Sequence, residues 1–88
     1  MNVKVHMGSL LYHITNNQYT IEVEGETVRE SLMKLDRQFP KLKLFDKDGE
    51  LKSYFVVSVN EEIVLPKELN KPVKDGDELS IMLVDVGG

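Results

Sequence analysis

Few side chains in this chain of 88 residues are equipped for chemistry. There is no cysteine, which removes disulfides, thiolate nucleophiles and zinc–thiolate sites together. The two histidines, His6 and His13, have no carboxylate at ligand spacing. Both are expected to be solvated, one on a strand and one in a loop, and no metal site is expected. Asp46-Lys47-Asp48-Gly49-Glu50 has the outline of a calcium loop. In that alignment the first ligand falls on Leu44 and the bidentate ligand on Phe55, and neither binds calcium. The segment reads instead as an acidic turn. No serine sits in a nucleophile elbow, and no glycine-rich phosphate loop precedes a helix. Thr27 reads as a helix cap, not a nucleophile.

What remains is Gly87-Gly88. Two glycines give an extended backbone and a carboxylate that no side chain obstructs. Such an end can thread a narrow channel and meet a nucleotide α-phosphate. Just before it, Leu79, Ile81 and Leu83 alternate with Ser80, Met82 and Val84. If the first set faces a helix, Met82 and Val84 face the other side of a sheet, and Val86 continues into the tail. No second helix is available to cover Met82 and Val84, so apolar residues there point to a partner surface.

The elements that position this end follow from periodicity. Val3, Val5 and Met7 alternate with Asn2, Lys4 and His6, a half-buried strand. Tyr19, Ile21 and Val23 alternate with Thr20, Glu22 and Glu24, a second strand antiparallel to the first. Gly25-Glu26 ends it. Thr27 and Glu30 have capping-box spacing, with the Glu30 carboxylate expected on the Thr27 amide. Val28, Leu32, Leu35 and Phe39 form one apolar stripe at helical period. Glu30 and Lys34 are spaced for an ion pair on the wet side, and Pro40 ends the helix. Leu42 with Leu44 or Phe45 is expected under the helix end. Phe55 to Val59 is expected as a central strand, buried on both faces because of its apolar run. Asn60-Glu61-Glu62 is a turn, and Ile63–Leu65 a short edge strand. Asp75-Gly76-Asp77 is a tight turn before the last strand.

One helix cannot cover both faces of a sheet. The economical solution is α+β: a mixed sheet of four to five strands packed on one main helix, with the first and last strands parallel at its centre. That is a β-grasp, ubiquitin-like roll over residues 1–84, followed by a flexible Gly-Gly tail at 85–88. Eleven basic against fifteen acidic residues give a net charge of −4. This disfavours nucleic acid and anionic membranes, both of which select for basic side chains. No apolar run approaches the roughly 20 residues of a membrane span. The start has no signal-peptide h-region, and a cytoplasmic location is expected.

Read together, these pieces resemble the ubiquitin-like sulfur carriers, and among them the small subunit of molybdopterin synthase (the MoaD type). The resemblance runs over nearly the whole chain. It is carried by Thr27-Val28-Arg29-Glu30 with Leu32 and Leu35, Phe39-Pro40, Asp48-Gly49-Glu50-Leu51 and Val57-Ser58-Val59-Asn60-Glu61. Further on it is carried by Leu69 to Val73, Lys74-Asp75-Gly76-Asp77-Glu78-Leu79-Ser80-Ile81 and Gly87-Gly88. Thiamine-pathway carriers (the ThiS type) are usually shorter and lack the stretch from Phe39 to Tyr54, which favours the molybdopterin branch. The family often has a proline in the tail, where this chain has Leu83-Val84-Asp85-Val86, and a glycine where Glu61 stands.

The resemblance implies a carrier that is not an enzyme by itself but is the sulfur-donating subunit of one. It binds no cofactor. A partner adenylating enzyme of the ubiquitin-activating type would spend ATP to convert the Gly88 carboxylate to an acyl-adenylate. Sulfide from a sulfur donor protein would displace AMP and leave a thiocarboxylate. Gly87 and Gly88 would be the reacting end, and Met82, Val84 and Val86 the docking residues. The large subunit of molybdopterin synthase would be the second partner. Three other readings stay open: a carrier serving thiamine, tRNA thiolation or cysteine; a ubiquitin-like protein modifier; and a non-covalent binding module.

Overall fold

The computed structural model describes residues 1–84, so the Gly-Gly tail, including Val86, lies outside the described residues. Five strands are present: β1 (Asn2–Met7), β2 (Thr20–Glu24), β3 (Phe55–Val59), β4 (Glu62–Val64) and β5 (Glu78–Leu83). One helix, α1 (Val28–Gln38), lies between β2 and β3. The sheet order is β2-β1-β5-β3-β4. β1 and β5 run parallel, and the other pairs are antiparallel. This is the expected β-grasp roll.

Strand alternation sorts the core. Val3, Val5, Met7, Ile21, Val23, Phe55, Val57, Leu79 and Ile81 are all buried on the face under α1. From the helix, Val28, Leu32 and Leu35 reach the same core and are fully buried. Each such side chain contributes roughly 1.5–3 kcal/mol by leaving water. Phe39, the last member of the stripe, is only half-buried, because the helix has ended at Gln38. Tyr19 also departs from expectation. β2 begins at Thr20, and Tyr19 is exposed against Tyr12 with ring centroids 4.4 Å apart.

The helix start is over-determined. The Thr27 hydroxyl accepts from the Glu30 amide at 3.1 Å. The Glu30 carboxylate reaches back one residue further than expected, to the Glu26 amide at 3.0 Å. The amides of Val28 and Arg29 donate to the carbonyls of Lys71 and Leu69. Thus the segment after β4 caps the helix by satisfying donors that a helix start leaves free. Gly25 is needed here for space: a Cβ on it would lie 2.5 Å from the Ser31 hydroxyl.

The stretch from Phe39 to Tyr54 is no loose insertion. Leu42, Leu44 and Leu51 are buried, and the Asp36 carboxylate accepts from the Leu44 amide at 2.9 Å. Asp46 turns the chain by accepting from the amides of Asp48 and Glu50 at 2.8 and 3.0 Å. The acidic turn therefore spends its first carboxylate on its own backbone, as Asx-turns do.

β3 corrects one expectation. It lies beside the edge strand, and β5 takes the centre. Phe55 and Val57 face the core, whereas Val56 is half-buried on the opposite face. The apolar run there reflects two half-covered faces, not a strand sealed on both.

Candidate functional site

α1 covers one face of the sheet and leaves the other to solvent. Cross-strand register places Thr20, His6, Ser80, Ser58 and Ile63 in one row across that open face. One row away from the tail stand Glu22, Lys4 and Glu78. One row toward it stand Met82 and Val56. The open face is charged at one end and apolar at the end from which the tail leaves.

Met82 is 47 % exposed and Val84 40 % exposed, on the side of the sheet where the alternation of β5 puts them. The Val84 amide donates to the Tyr54 carbonyl at 2.8 Å, so the pairing with β3 is extended one residue beyond β5. Gly8 lies beneath Met82. A Cβ on it would meet the Met82 Cγ at 3.2 Å, and the Gly8 amide donates to the Ile81 carbonyl at 2.8 Å. Leu10, two residues on, is exposed as well. Val86, Gly87 and Gly88 fall outside the described residues.

His6 is not the unpartnered side chain that its sequence neighbourhood suggests. Its Nε2 lies 2.7 Å from Glu78 Oε1 and its Nδ1 2.9 Å from Thr20 Oγ1. The carboxylate partner is 72 residues away in sequence and arrives only through the parallel β1–β5 register. Thr20, His6 and Glu78 have the order of a hydrolytic triad. They tie β2, β1 and β5 together on the open sheet face, where His6 and Glu78 border a depression of about 390 Å³ with Asn60, Glu61 and Ser80. His13 is exposed. Among the described residues no group of three or more His, Cys, Asp or Glu side chains could hold a metal.

The turn joining β3 to β4 adds a polar anchor at the charged end. Asn60 donates to Asp77 through its side chain at 3.0 Å and accepts from the Glu78 amide at 3.0 Å. The Asp77 carboxyl also accepts from the Lys74 amide at 2.8 Å. That backbone bond, then the Asn60 side chain, holds Asp77 below the usual carboxylate range.

The family profile of the ThiS family matches residues 10–88. The chain belongs to the ThiS family. It is a small ubiquitin-like protein of the sulfur-carrier kind. Solved structures agree over the full length. The small archaeal modifier protein 1 of Haloferax volcanii is 26 % identical, with a TM-score of 0.85, and the match covers 100 % of both chains. The Amycolatopsis orientalis BexX/CysO complex contains a chain 30 % identical, with a TM-score of 0.80, covering 98 % of this chain and 99 % of that one. Subunits 1 and 2 of the molybdopterin-converting factor of Helicobacter pylori provide a match at 20 % identity and a TM-score of 0.67, covering 100 % of both chains. That last likeness is one of fold. No curated protein matches the chain in sequence. Among the described residues no helix is long and apolar enough to cross a membrane.

Proposed function

We propose that this ThiS-family member carries sulfur as a thiocarboxylate on Gly88. A carboxylate is a poor electrophile because its charge is delocalised. Transfer of the AMP moiety of ATP onto Gly88, with release of pyrophosphate, creates an acyl-adenylate with a good leaving group. Sulfide supplied by a donor protein attacks that carbonyl carbon; the C–O bond to AMP breaks and a C–S bond forms. The observation that carries this reading is the family match, which extends through Gly87-Gly88. The exposed Met82 and Val84 support it, because they offer an apolar contact for the partner immediately before the tail.

The acceptor we propose is the pterin precursor of molybdopterin, reached through the large synthase subunit. Its support, against a thiamine acceptor only, is the core-packed stretch from Phe39 to Tyr54, which thiamine-type carriers usually lack. A second reading has its own observation. The CysO chain that shares 30 % identity was solved in a complex with BexX, and other neighbours are named small archaeal modifiers. These favour a different sulfur acceptor or attachment to protein lysines.

Intact mass after incubation with an adenylating enzyme, ATP and a sulfur donor tests the first step. The expected result is a mass gain equal to one oxygen exchanged for sulfur. Deleting Gly88 withdraws the carboxylate by roughly 3.3–3.6 Å, and misplacement by about 1 Å already costs two orders of magnitude. Normal thiocarboxylation of the shortened chain would sink the reading. Presenting the thiocarboxylate to the large synthase subunit with its precursor then decides the acceptor. No sulfur transfer there, together with lysine-linked conjugates in cells, selects the second reading.

A further inference from the structure

Gly8 is the first residue after β1, and nothing in its backbone calls for glycine. Its φ of −67° and ψ of 154° are extended values that any residue adopts. The glycine is there for space. A Cβ on it would meet the Met82 Cγ at 3.2 Å, the Ile81 carbonyl oxygen at 3.3 Å and the Met82 Cα at 3.3 Å. The strand register explains these contacts. Met7 lies opposite Ile81, so Gly8 falls opposite Met82, and alternation puts both positions on the open face. The Met82 side chain leans toward β1, into the space that a Cβ at position 8 would take.

Neither strand has room to retreat. The Gly8 amide donates to the Ile81 carbonyl at 2.8 Å, and the Gly8 carbonyl accepts from the amide of the fully buried Leu11 at 2.9 Å. β5 is paired on both edges, to β1 and β3, and the Val84 amide on the Tyr54 carbonyl holds its end. Backbone held this way yields little. The Met82 side chain is unbranched, turns about three bonds and is 47 % exposed, so it is the part that gives way. Gly25 is the contrast. A Cβ there would come within 2.9 Å of the Ser31 backbone nitrogen, and the helix itself would have to move. A Cβ at Gly8 changes the open face and spares the core.

From this we infer that Gly8 is a positioning residue: its missing Cβ sets the placement of Met82 and, through Met82, the docking of the enzyme that adenylates Gly88. The inference rests on the carrier reading above for the identity of that partner. With glycine at this position Met82 lies toward β1 beside Val56, two residues before the described chain ends at Val84. A side chain at this position turns Met82 into another rotamer, and the partner meets a different surface on an unchanged fold.

The test compares the full-length chain with Gly8→Ala, Met82→Ala and the double variant. Calorimetric titration against the adenylating enzyme of the same organism, without ATP, reads docking apart from chemistry. Gly8→Ala should raise Kd about threefold to tenfold. In the Met82→Ala chain, which has no Cγ to displace, adding Gly8→Ala should change Kd by less than about twofold, a non-additivity that a purely structural role does not produce. With ATP, Gly8→Ala should raise KM by the same factor as Kd and leave kcat unchanged. The Met82 methyl resonance, one of four from methionine, should move in Gly8→Ala. If Gly8→Ala melts lower than the unmutated chain, the double variant should melt with Met82→Ala. No docking by the unmutated chain, a Kd unchanged by Gly8→Ala, an equal loss of affinity with and without Met82, or a lowered melting temperature in both backgrounds would each overturn the inference. Adenylate formation by the unmutated chain is scored separately. Docking without it refutes the Gly88 reading, while the same four affinities still decide the role of Gly8.

Discussion

Ile81 and Met82 are neighbours on the central strand, yet Ile81 is fully buried under α1 while Met82 is 47 % exposed on the other side. The same contrast runs across the sheet: Val3, Val5, Leu79 and Val57 below, Lys4, His6, Glu78 and Ser58 above. One face is uniformly apolar because it meets a single helix in a close-packed core, where even a methylene is felt. The other meets only water and is free to grade from Glu22, Lys4 and Glu78 to Met82 and Val56. In a fold with one helix, the covered face holds the structure together. The open face is where a partner can be specified at little cost to folding.

The comparison is broken most severely by removing a pillar of the covered face. Leu35 is fully buried, and Leu35→Ala should cost about 2–5 kcal/mol, a large share of what a small domain has. Chemical denaturation measures it. An unchanged midpoint would mean that α1 does not hold the sheet.

A smaller effect, of a different kind, is expected one layer away. Met82→Asp should leave the unfolding midpoint nearly unchanged, because the carboxylate stays in water. It should weaken binding of the adenylating enzyme proposed above by about tenfold or more, since docking would bury a charge without a counter-ion. Calorimetric titration against that partner separates the outcomes. A Met82→Asp chain that unfolds would invert the assignment of faces; one that binds normally would remove Met82 from the docking surface.

Much of this was legible in the chain. Period-two alternation at Val3-Val5-Met7 and Leu79-Ile81, together with the helical stripe, defined the covered face without reference to partners. The Thr27 cap was visible because capping is local. What escaped was set at long range. His6 pairs with Glu78 only because β1 and β5 are parallel neighbours. The place of Val56 depends on β3 lying beside the edge, and an apolar triplet does not encode strand order. The groove that Met33 and Arg37 form with Pro40 and Phe45 needs the 39–54 excursion folded back against the helix, which a turn-by-turn reading could not assemble. The reading of Gly87-Gly88 as the reacting end falls outside the described residues.

The smallest effect is expected where structure and solvent divide two adjacent residues of one turn. Asn60 and Glu61 form the two-residue connection between Val59 and Glu62, which pair across the hairpin. Both have positive φ, 49° and 73°, as the mirror-image hairpin turns require. Asn60 tolerates that conformation and uses its side chain to tie Asp77 and the Glu78 amide. Glu61 is exposed, so its left-handed backbone costs about 1–2 kcal/mol, offset by no polar anchor like that of Asn60. Glu61→Gly removes this strain but gives the unfolded chain more freedom, worth about 0.4–1 kcal/mol. The expected balance is a stabilisation of up to about 1 kcal/mol. Asn60→Gly should go the other way, because it gives up two hydrogen bonds at the charged end of the open face. Paired thermal melts read both signs. A loss of stability in Glu61→Gly would show that the glutamate side chain supports the turn, and that this end of the open face is built from both residues instead of one.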